Sequence, residues 1–257
     1  VDCEARPRFA TRVWMIEVTT VLGPVPADTL GLVLPHEHIL CDLTPLALRD
    51  PGIPETRIEL ENAHAIAYRP NDYKGNHLLS RQSVARGELD AFAAAGGGTI
   101  VDMTTDGIGR DPEGLAALSR ETGVAIVAGA GFYTAEFVDA ETRDQGADRL
   151  ASRIESQICE GFHGTAIRAG VIGEIGCTWP LADFERRSLI AAATAQRRTG
   201  LSINVHPGRH PNAPHEIMDV LEHAGADPAR VAISHVDRTY FDFTSIARLA
   251  GRGCWIE

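Results

Sequence analysis

Two histidines stand one residue apart in the apolar run GLVLPHEHIL, at positions 36 and 38 of the 257-residue chain. Side chains two residues apart in a β-strand point to the same face, so His36 and His38 would share one face and Glu37 would point to the other. Two imidazoles on one face can hold a metal ion. A pair of hydrogen-bonded core histidines is the alternative, and the HxH motif alone does not decide between them.

Three further ionisable residues lie at or near the ends of later apolar runs. His206 ends INVH, His235 follows AIS, and Glu174 lies within VIGEIG. A carboxylate in such an apolar segment is costly to bury without a counter-charge, and a metal ion would neutralise it. Four histidines and one glutamate in these positions favour a metal site over ordinary core packing.

An alternation of helices and strands, which begins near residue 80, must position these residues. Six segments with helical periodicity each precede a short apolar strand, and one further strand comes earlier. The predicted strands cover 32–38, 98–105, 124–133, 169–176, 201–208, 230–236 and 254–257. Runs rich in Val, Ile and Ala are typical of parallel strands that are buried on both faces. In one helix, Asp111 suits the N-cap, Pro112 the first turn and Gly123 the end.

This alternation predicts an α/β fold, a (β/α)8 TIM barrel whose active site lies at the carboxyl ends of the strands. A doubly wound open sheet is the alternative, but no glycine-rich phosphate loop follows any strand. Only seven strands are found, so we expect a barrel that is truncated after strand 7. Residues 42–80 form a long insertion, which we expect to lie over the barrel mouth.

Six longer motifs extend this pattern from about residue 20 to the end of the sequence. They are TVLGPVPADTLGLVLPHEHIL, GGGTIVDMTT, GAGFY, GVIGEIGCTWP, HPGR and SHVDRT. Together they resemble the phosphotriesterase family of the amidohydrolase superfamily, and most closely its phosphotriesterase-related proteins.

The resemblance implies a site with two divalent metal ions. His36 and His38 would hold the first ion, His206 and His235 the second, and Glu174 would bridge both. Glu174 and His235 are thereby the predicted catalytic residues. Imidazole and carboxylate ligands suit zinc, and manganese, iron or cobalt stay open.

The family also uses an aspartate at the end of strand 8, which binds the first metal and takes the proton of the attacking water. This sequence contains no such strand. We therefore weigh a binuclear metal-dependent hydrolase against a catalytically inactive metal-binding fragment, and against a fragment that associates through its open barrel edge. We expect residues 1–14 to be a non-native or disordered extension before a natural start at Met15. Residues 15–257 would form the incomplete barrel domain, which lacks strand 8.

Three residues at or just past strand ends are predicted to bind the substrate: Tyr133, Arg209 and Arg238. Tyr133 ends its strand, and capping the core is its alternative role. Arginines recognise carboxylate, sulfonate or phosphate groups through paired hydrogen bonds, and a surface ion pair is their alternative use. The chemistry leaves ester, lactone, amide and phosphotriester bonds open. By resemblance, an anionic acyl amide or a lactone is favoured over a phosphotriester.

Composition narrows the range of partners. The net charge is -11 and no basic stripe is present, which argues against nucleic acid. No apolar run approaches the roughly 18–20 residues of a membrane span. Five scattered cysteines without CxxC spacing favour a reducing cytoplasm over a disulfide framework. We expect a small-molecule substrate and no membrane partner, and a homodimer stays open.

Overall fold

The structure is a computed structural model that describes residues 16–45 and 48–257. The extension predicted at residues 1–14 lies outside the described residues. The strands, in chain order, are β1 (Glu17–Thr20), β2 (Gly23–Pro26), β3 (Leu32–Glu37), β4 (Cys41–Asp42), β5 (Leu78–Leu79), β6 (Gly97–Asp102), β7 (Ala125–Ala130), β8 (Val171–Gly176), β9 (Ile203–His206), β10 (Val231–Ile233) and β11 (Trp255–Ile256). The helices are α1 (Leu60–Tyr68), α2 (Gln82–Ala94), α3 (Pro112–Thr122), α4 (Ala140–Arg143), α5 (Ala147–Cys159), α6 (Asp183–Thr199), α7 (Ala213–His223) and α8 (Phe243–Ala250).

One parallel sheet of seven strands forms the centre of the fold, in the order β3, β6, β7, β8, β9, β10, β11. Each of these strands pairs with the next one along the chain, so the order never reverses. A doubly wound sheet needs such a reversal, and this alternative is therefore wrong.

The two outermost strands of this sheet approach each other through their side chains. His36 of β3 lies 3.0 Å, from Nδ1 to Oε2, from Glu257, which follows β11. The sheet is therefore curled into an α/β half-barrel, consistent with a TIM-like barrel. The expected truncation after strand 7 stays a prediction.

The helices that precede the strands form as the sequence predicts. In α3 the Asp111 carboxylate accepts a hydrogen bond from the Gly114 amide at 2.9 Å, Pro112 begins the helix, and Gly123 ends it with a φ of 74°. Each predicted helix, namely α2, α3, α5, α6, α7 and α8, is present and leads into the next central strand.

The main core lies between this helical layer and the outer face of the sheet. Leu150 and Ile154 of α5 and Leu189 of α6 are fully buried there. Helix α6 packs against α5, α7, β8 and β9, and it buries four alanines at positions 191, 192, 193 and 195. Such small side chains let neighbouring elements approach closely, so α6 fixes the two strands that carry Glu174 and His206.

Two features around the barrel lie outside the regular alternation. The β1–β2 hairpin was not predicted; its turn donates a hydrogen bond from the Val21 amide to Ile126 at the amino end of β7. The long segment from residue 42 to 80 contains α1, and its ends are closed by the antiparallel pair β4–β5. No helix within residues 16–45 and 48–257 combines the length and apolar character needed to cross a bilayer.

Gly129 of β7 lies directly against the backbone of β8. A Cβ atom at Gly129 would overlap the carbonyl oxygen of Gly173, which precedes Glu174 in β8. Backbone atoms cannot rotate away as a side chain can, so this glycine lets β7 and β8 pack at the distance that places Glu174.

The same substitution should have opposite effects at two glycines. Gly129→Ala should lower the free energy of unfolding by about 1–3 kcal/mol, because the methyl group forces two strands apart. Gly87→Ala should raise it by about 0.5–1 kcal/mol, since Gly87 lies within α2 and nothing would touch the added carbon. Urea unfolding of both variants tests this, and an unchanged stability of Gly129→Ala would contradict the close approach of the strands.

Candidate active site

A single buried carboxylate, that of Glu174, lies at the centre of the predicted site. Its side chain is 1% exposed and lies between four imidazoles. The oxygen Oε2 is 3.0 Å from Nδ1 of His206, 3.2 Å from Nε2 of His36 and 3.3 Å from Nε2 of His235. The oxygen Oε1 is 3.3 Å from Nε2 of His38. We call these five residues the histidine–glutamate cluster.

The strands bring the cluster together because parallel strands all end at the same edge. His36 lies in β3 and His38 just after it, and His206 ends β9 next to Gly176 of β8. His235 follows β10 with a φ of 55°, a left-handed conformation that is uncommon for residues other than glycine. That conformation turns the imidazole of His235 back towards Glu174.

The charge state of the cluster follows from burial and these contacts. Burial alone would raise the pKa of Glu174, but contacts with the four histidines outweigh it and hold the pKa well below its usual range. Burial alone would lower the pKa of His36, but the Glu174 and Glu257 carboxylates raise it to about 9. Burial lowers the pKa of His206 in spite of its contact with Glu174. The carboxylate of Glu174 therefore stays ionised at neutral pH.

The donor atoms present fit a divalent metal ion. His36, Glu174 and His235 each offer a ligand atom within 4.8 Å of the others. Nε2 of His36 is buried, and its 3.2 Å contact with Oε2 of Glu174 does not have hydrogen-bond geometry. Imidazole nitrogens with a carboxylate are typical zinc ligands. This compact group joins His36 with His235, two residues that the family resemblance assigns to different ions.

The far sides of three imidazoles meet groups of different chemistry. Nδ1 of His36 faces Glu257, whereas Nδ1 of His38 lies 3.0 Å from Oγ1 of Thr104. Nε2 of His206 lies 2.9 Å from Nη2 of Arg238. A guanidinium can only donate, so this nitrogen of His206 accepts, and its Nδ1 carries the proton that faces Glu174.

Three buried or half-buried acids around the cluster were not predicted from the sequence. Asp102 is fully buried and accepts hydrogen bonds from the amides of Ile39 and Thr104, and burial raises its pKa. These bonds fix the backbone on either side of the His38–Thr104 contact. The signal was available, because Asp102 lies in the apolar run TIVDM just as Glu174 lies in VIGEIG.

The other two missed acids are Glu185 and Glu257. Glu185 of α6 is fully buried and accepts hydrogen bonds from the amides of Ala135, Thr178 and Ala182, so it fixes the loop after β8. Burial would raise the pKa of Glu257, but contacts with His36 and two neutral side chains lower it to about 2. Nothing in the sequence pattern distinguishes these acids from surface carboxylates.

A cleft of about 560 Å³ opens above the cluster. The three residues predicted to bind substrate all line it: Tyr133, Arg209 and Arg238. The Tyr133 hydroxyl lies 3.3 Å from Nδ1 of His206, and burial raises the pKa of Tyr133. From the long segment that was expected over the mouth, Leu43 reaches this cleft.

The two arginines give the cleft a positive wall. Arg238 is half-buried, and its Nε has no hydrogen-bond partner among residues 16–45 and 48–257. Burial and the nearby charge of Arg209 lower the pKa of Arg238. Within the same described ranges, neither guanidinium forms an ion pair with a carboxylate. Both therefore keep hydrogen-bonding capacity for an anion.

Similarity to known proteins identifies the family of this chain. The profile of the phosphotriesterase family matches residues 16–257. The chain belongs to the phosphotriesterase family. The N-acetyltaurine hydrolase of Rattus norvegicus is 42% identical over 246 residues, which are 94% of this chain and 70% of that protein. The Xenopus tropicalis N-acetyltaurine hydrolase is 39% identical with the same coverage.

Solved structures of the family share the fold. The resiniferatoxin-binding protein from Rhodobacter sphaeroides is 38% identical, with a TM-score of 0.86 over 93% of this chain and 68% of that one. The phosphotriesterase homology protein from Escherichia coli, solved with phosphate in its active site, is 25% identical with a TM-score of 0.73 over 89% and 70% of the two chains. The predictions of the family and of a hydrolase are confirmed.

The raised pKa of His36 makes the stability of the metal-free protein depend on pH. The unfolded imidazole titrates near 6.5 and the folded one near 9, so this stabilisation is complete below pH 6.5 and is lost as the pH rises to 9. We expect the free energy of unfolding to fall by about 3 kcal/mol across that window, because a pKa difference of 1 corresponds to about 1.4 kcal/mol.

Chelator-treated protein, unfolded in urea at pH values from 6 to 10, measures this loss. The variant His36→Gln serves as the control, because it should remove most of the slope between pH 6.5 and 9. A parent curve that runs parallel to that of the variant would contradict the coupling of His36 to the two carboxylates.

Proposed function

We propose that this chain is a binuclear metal-dependent amidase that acts on a small anionic N-acyl compound of the acyltaurine type. One observation carries the proposal: an ionised carboxylate surrounded by four histidines opens into a cleft whose wall holds two guanidiniums, and neither has an acidic partner among the described residues. The relatives named N-acetyltaurine hydrolase support the same substrate class, because their named substrate carries an amide and a sulfonate.

The cluster would hold two ions, with Glu174 shared between them, as the family resemblance implies. When bound, such ions acidify water and polarise the scissile carbonyl. Glu174 would supply the negative charge that offsets the ions, and His36, His38, His206 and His235 would supply neutral donors, His206 once its proton has left Nδ1. Zinc is the metal that we expect, and manganese, iron and cobalt stay open.

The cleft residues would orient the substrate over the cluster. Arg238 and Arg209 would bind the sulfonate or carboxylate group, since a guanidinium recognises such oxygens with two parallel hydrogen bonds. This places the acyl end towards Glu174 and His235. The Tyr133 hydroxyl, which lies 3.3 Å from Nδ1 of His206, would donate a hydrogen bond to the substrate.

An inactive metal-binding fragment is the second candidate. The observation that favours it is the compact ligand group of His36, Glu174 and His235, which would suit one ion rather than two. A cytoplasmic location and a homodimer stay predictions.

Kinetics on the zinc-loaded chain separate these candidates. N-acetyltaurine is compared with N-acetylethanolamine, a neutral amide of similar size, and with a γ-lactone and paraoxon. We expect the highest kcat/KM for N-acetyltaurine, at least about 10-fold above that for the neutral amide. Hydrogen bonds between the arginines and the anionic group would each be worth about 1.5–3 kcal/mol. A preference for paraoxon would contradict it, and tight zinc binding without turnover would establish the inactive candidate.

Removing one arginine should weaken recognition of the anion selectively. Arg209→Met should raise KM for N-acetyltaurine about 10-fold and leave kcat/KM for the neutral amide within about 2-fold. Arg209 contacts the cleft and not the cluster, so chemistry on the amide is spared. The matched control is Arg198→Met, which removes an exposed ion pair with Glu155 on the outer face. Equal losses of kcat/KM on both substrates would show that Arg209 does not recognise the anionic group.

A further inference from the structure

Glu257, which follows β11, sends its carboxylate across to the opposite edge of the sheet. Its oxygen Oε2 lies 3.0 Å from Nδ1 of His36, 2.8 Å from Nδ2 of Asn204 and 2.6 Å from Oγ of Ser234. One carboxylate oxygen therefore meets potential donors from β3, from β9 and from the residue after β10.

The surroundings of Glu257 keep it fixed on His36. Ser234 Oγ also lies 2.8 Å from Oδ1 of Asn204 and 3.2 Å from Nδ1 of His36, so all four side chains form one network. Ser234 is fully buried and Asn204 is 4% exposed. Ser234 has one hydroxyl proton to donate, to Glu257 or to Asn204, and the close spacing of these buried groups restrains the geometry of the network.

This network determines which nitrogen of His36 is free. A carboxylate can only accept, so Nδ1 of His36 must carry a proton. A metal ion requires the neutral imidazole, whose lone pair is then on Nε2. That nitrogen is buried and lies 3.2 Å from Oε2 of Glu174 without hydrogen-bond geometry.

We propose that Glu257 is a positioning residue, which presents Nε2 of His36 as a metal ligand and makes that nitrogen a stronger donor. The inference rests on the proposed metal-dependent function and deepens it. Hydrogen bonds from a ligating histidine to a second carboxylate fix the ring and its tautomer, and losing them typically weakens metal affinity about 10–100-fold.

The effect should be confined to the ion that His36 binds. His38 has a hydroxyl partner at Thr104, and His206 has a guanidinium partner at Arg238. Only His36, within the described chain, has an anionic partner outside the cluster. Loss of Glu257 should therefore weaken one of two zinc ions and leave the other.

The test compares zinc binding by the full 257-residue chain and three variants. Glu257→Gln keeps the shape and removes the charge, Glu257→Asp keeps the charge on a shorter arm, and Glu37→Gln is the matched control. Glu37 is adjacent to His36 but is exposed on the opposite face of β3. Zinc affinity is measured by competition with a chromophoric chelator, and thermal melts check folding. Nitrogen-15 NMR of zinc-loaded protein reports which His36 nitrogen carries the proton.

We expect Glu257→Gln to weaken one zinc ion about 10-fold or more, Glu257→Asp to retain part of the affinity, and Glu37→Gln to match the parent. In the parent spectrum, Nδ1 of His36 should carry the proton. Equal zinc affinity in Glu257→Gln and the parent, or a proton on Nε2 of His36, would overturn the positioning role.

The substrate assays and the zinc-binding test can fail independently of each other. If Glu257→Gln loses zinc affinity and the zinc-loaded parent does not cleave N-acetyltaurine, the positioning role stands and the proposed substrate is wrong. A parent chain that takes up no zinc would overturn both proposals.

Discussion

The burial of one ionised carboxylate is the constraint on which the rest of this structure depends. Glu174 is almost inaccessible, and an unpaired charge at that depth would be strongly destabilising. Four imidazoles surround it within 3.0–3.3 Å. Those imidazoles come from strands far apart in the chain, so the sheet must curl and its strands must end at one edge before the charge can be compensated.

The cluster is asymmetric because its histidines have different partners behind them. On the side away from Glu174, His36 contacts a carboxylate, His38 a hydroxyl and His206 a guanidinium. A carboxylate behind an imidazole strengthens its other nitrogen as a donor, and a guanidinium weakens it. Under the proposed function, the side of the site with His36 would bind a cation more tightly, and the side near Arg238 faces the cleft where an anion would bind.

Much of the fold could be predicted from the sequence because local signals agreed with the tertiary structure. Three kinds of local signal each indicated a local geometry: the cap residues Asp111 and Gly123, the apolar strand runs, and the two-residue spacing of His36 and His38. The register of β8 against β9 then brings Glu174 to His206, and no tertiary information beyond the barrel was needed to expect that proximity.

The parts that could not be predicted depend on contacts between distant residues. Glu257 and Ser234 are ordinary residues in sequence, and only the curl of the sheet brings them to His36. In the sequence, Glu185 lies in the first turn of a helix, where a carboxylate interacts favourably with the helix dipole. In the structure it is fully buried and accepts hydrogen bonds from three backbone amides. The grouping of His36 with His235 also departs from the pairing that the family resemblance implies.

The most direct test of the central claim is anomalous diffraction from crystals of the protein grown with zinc. We expect anomalous peaks inside the histidine–glutamate cluster, at about 2.0–2.2 Å from a Glu174 oxygen and from Nε2 of His36. Zinc found solely on the surface, with the Glu174 carboxylate still contacted by imidazoles alone, would contradict it.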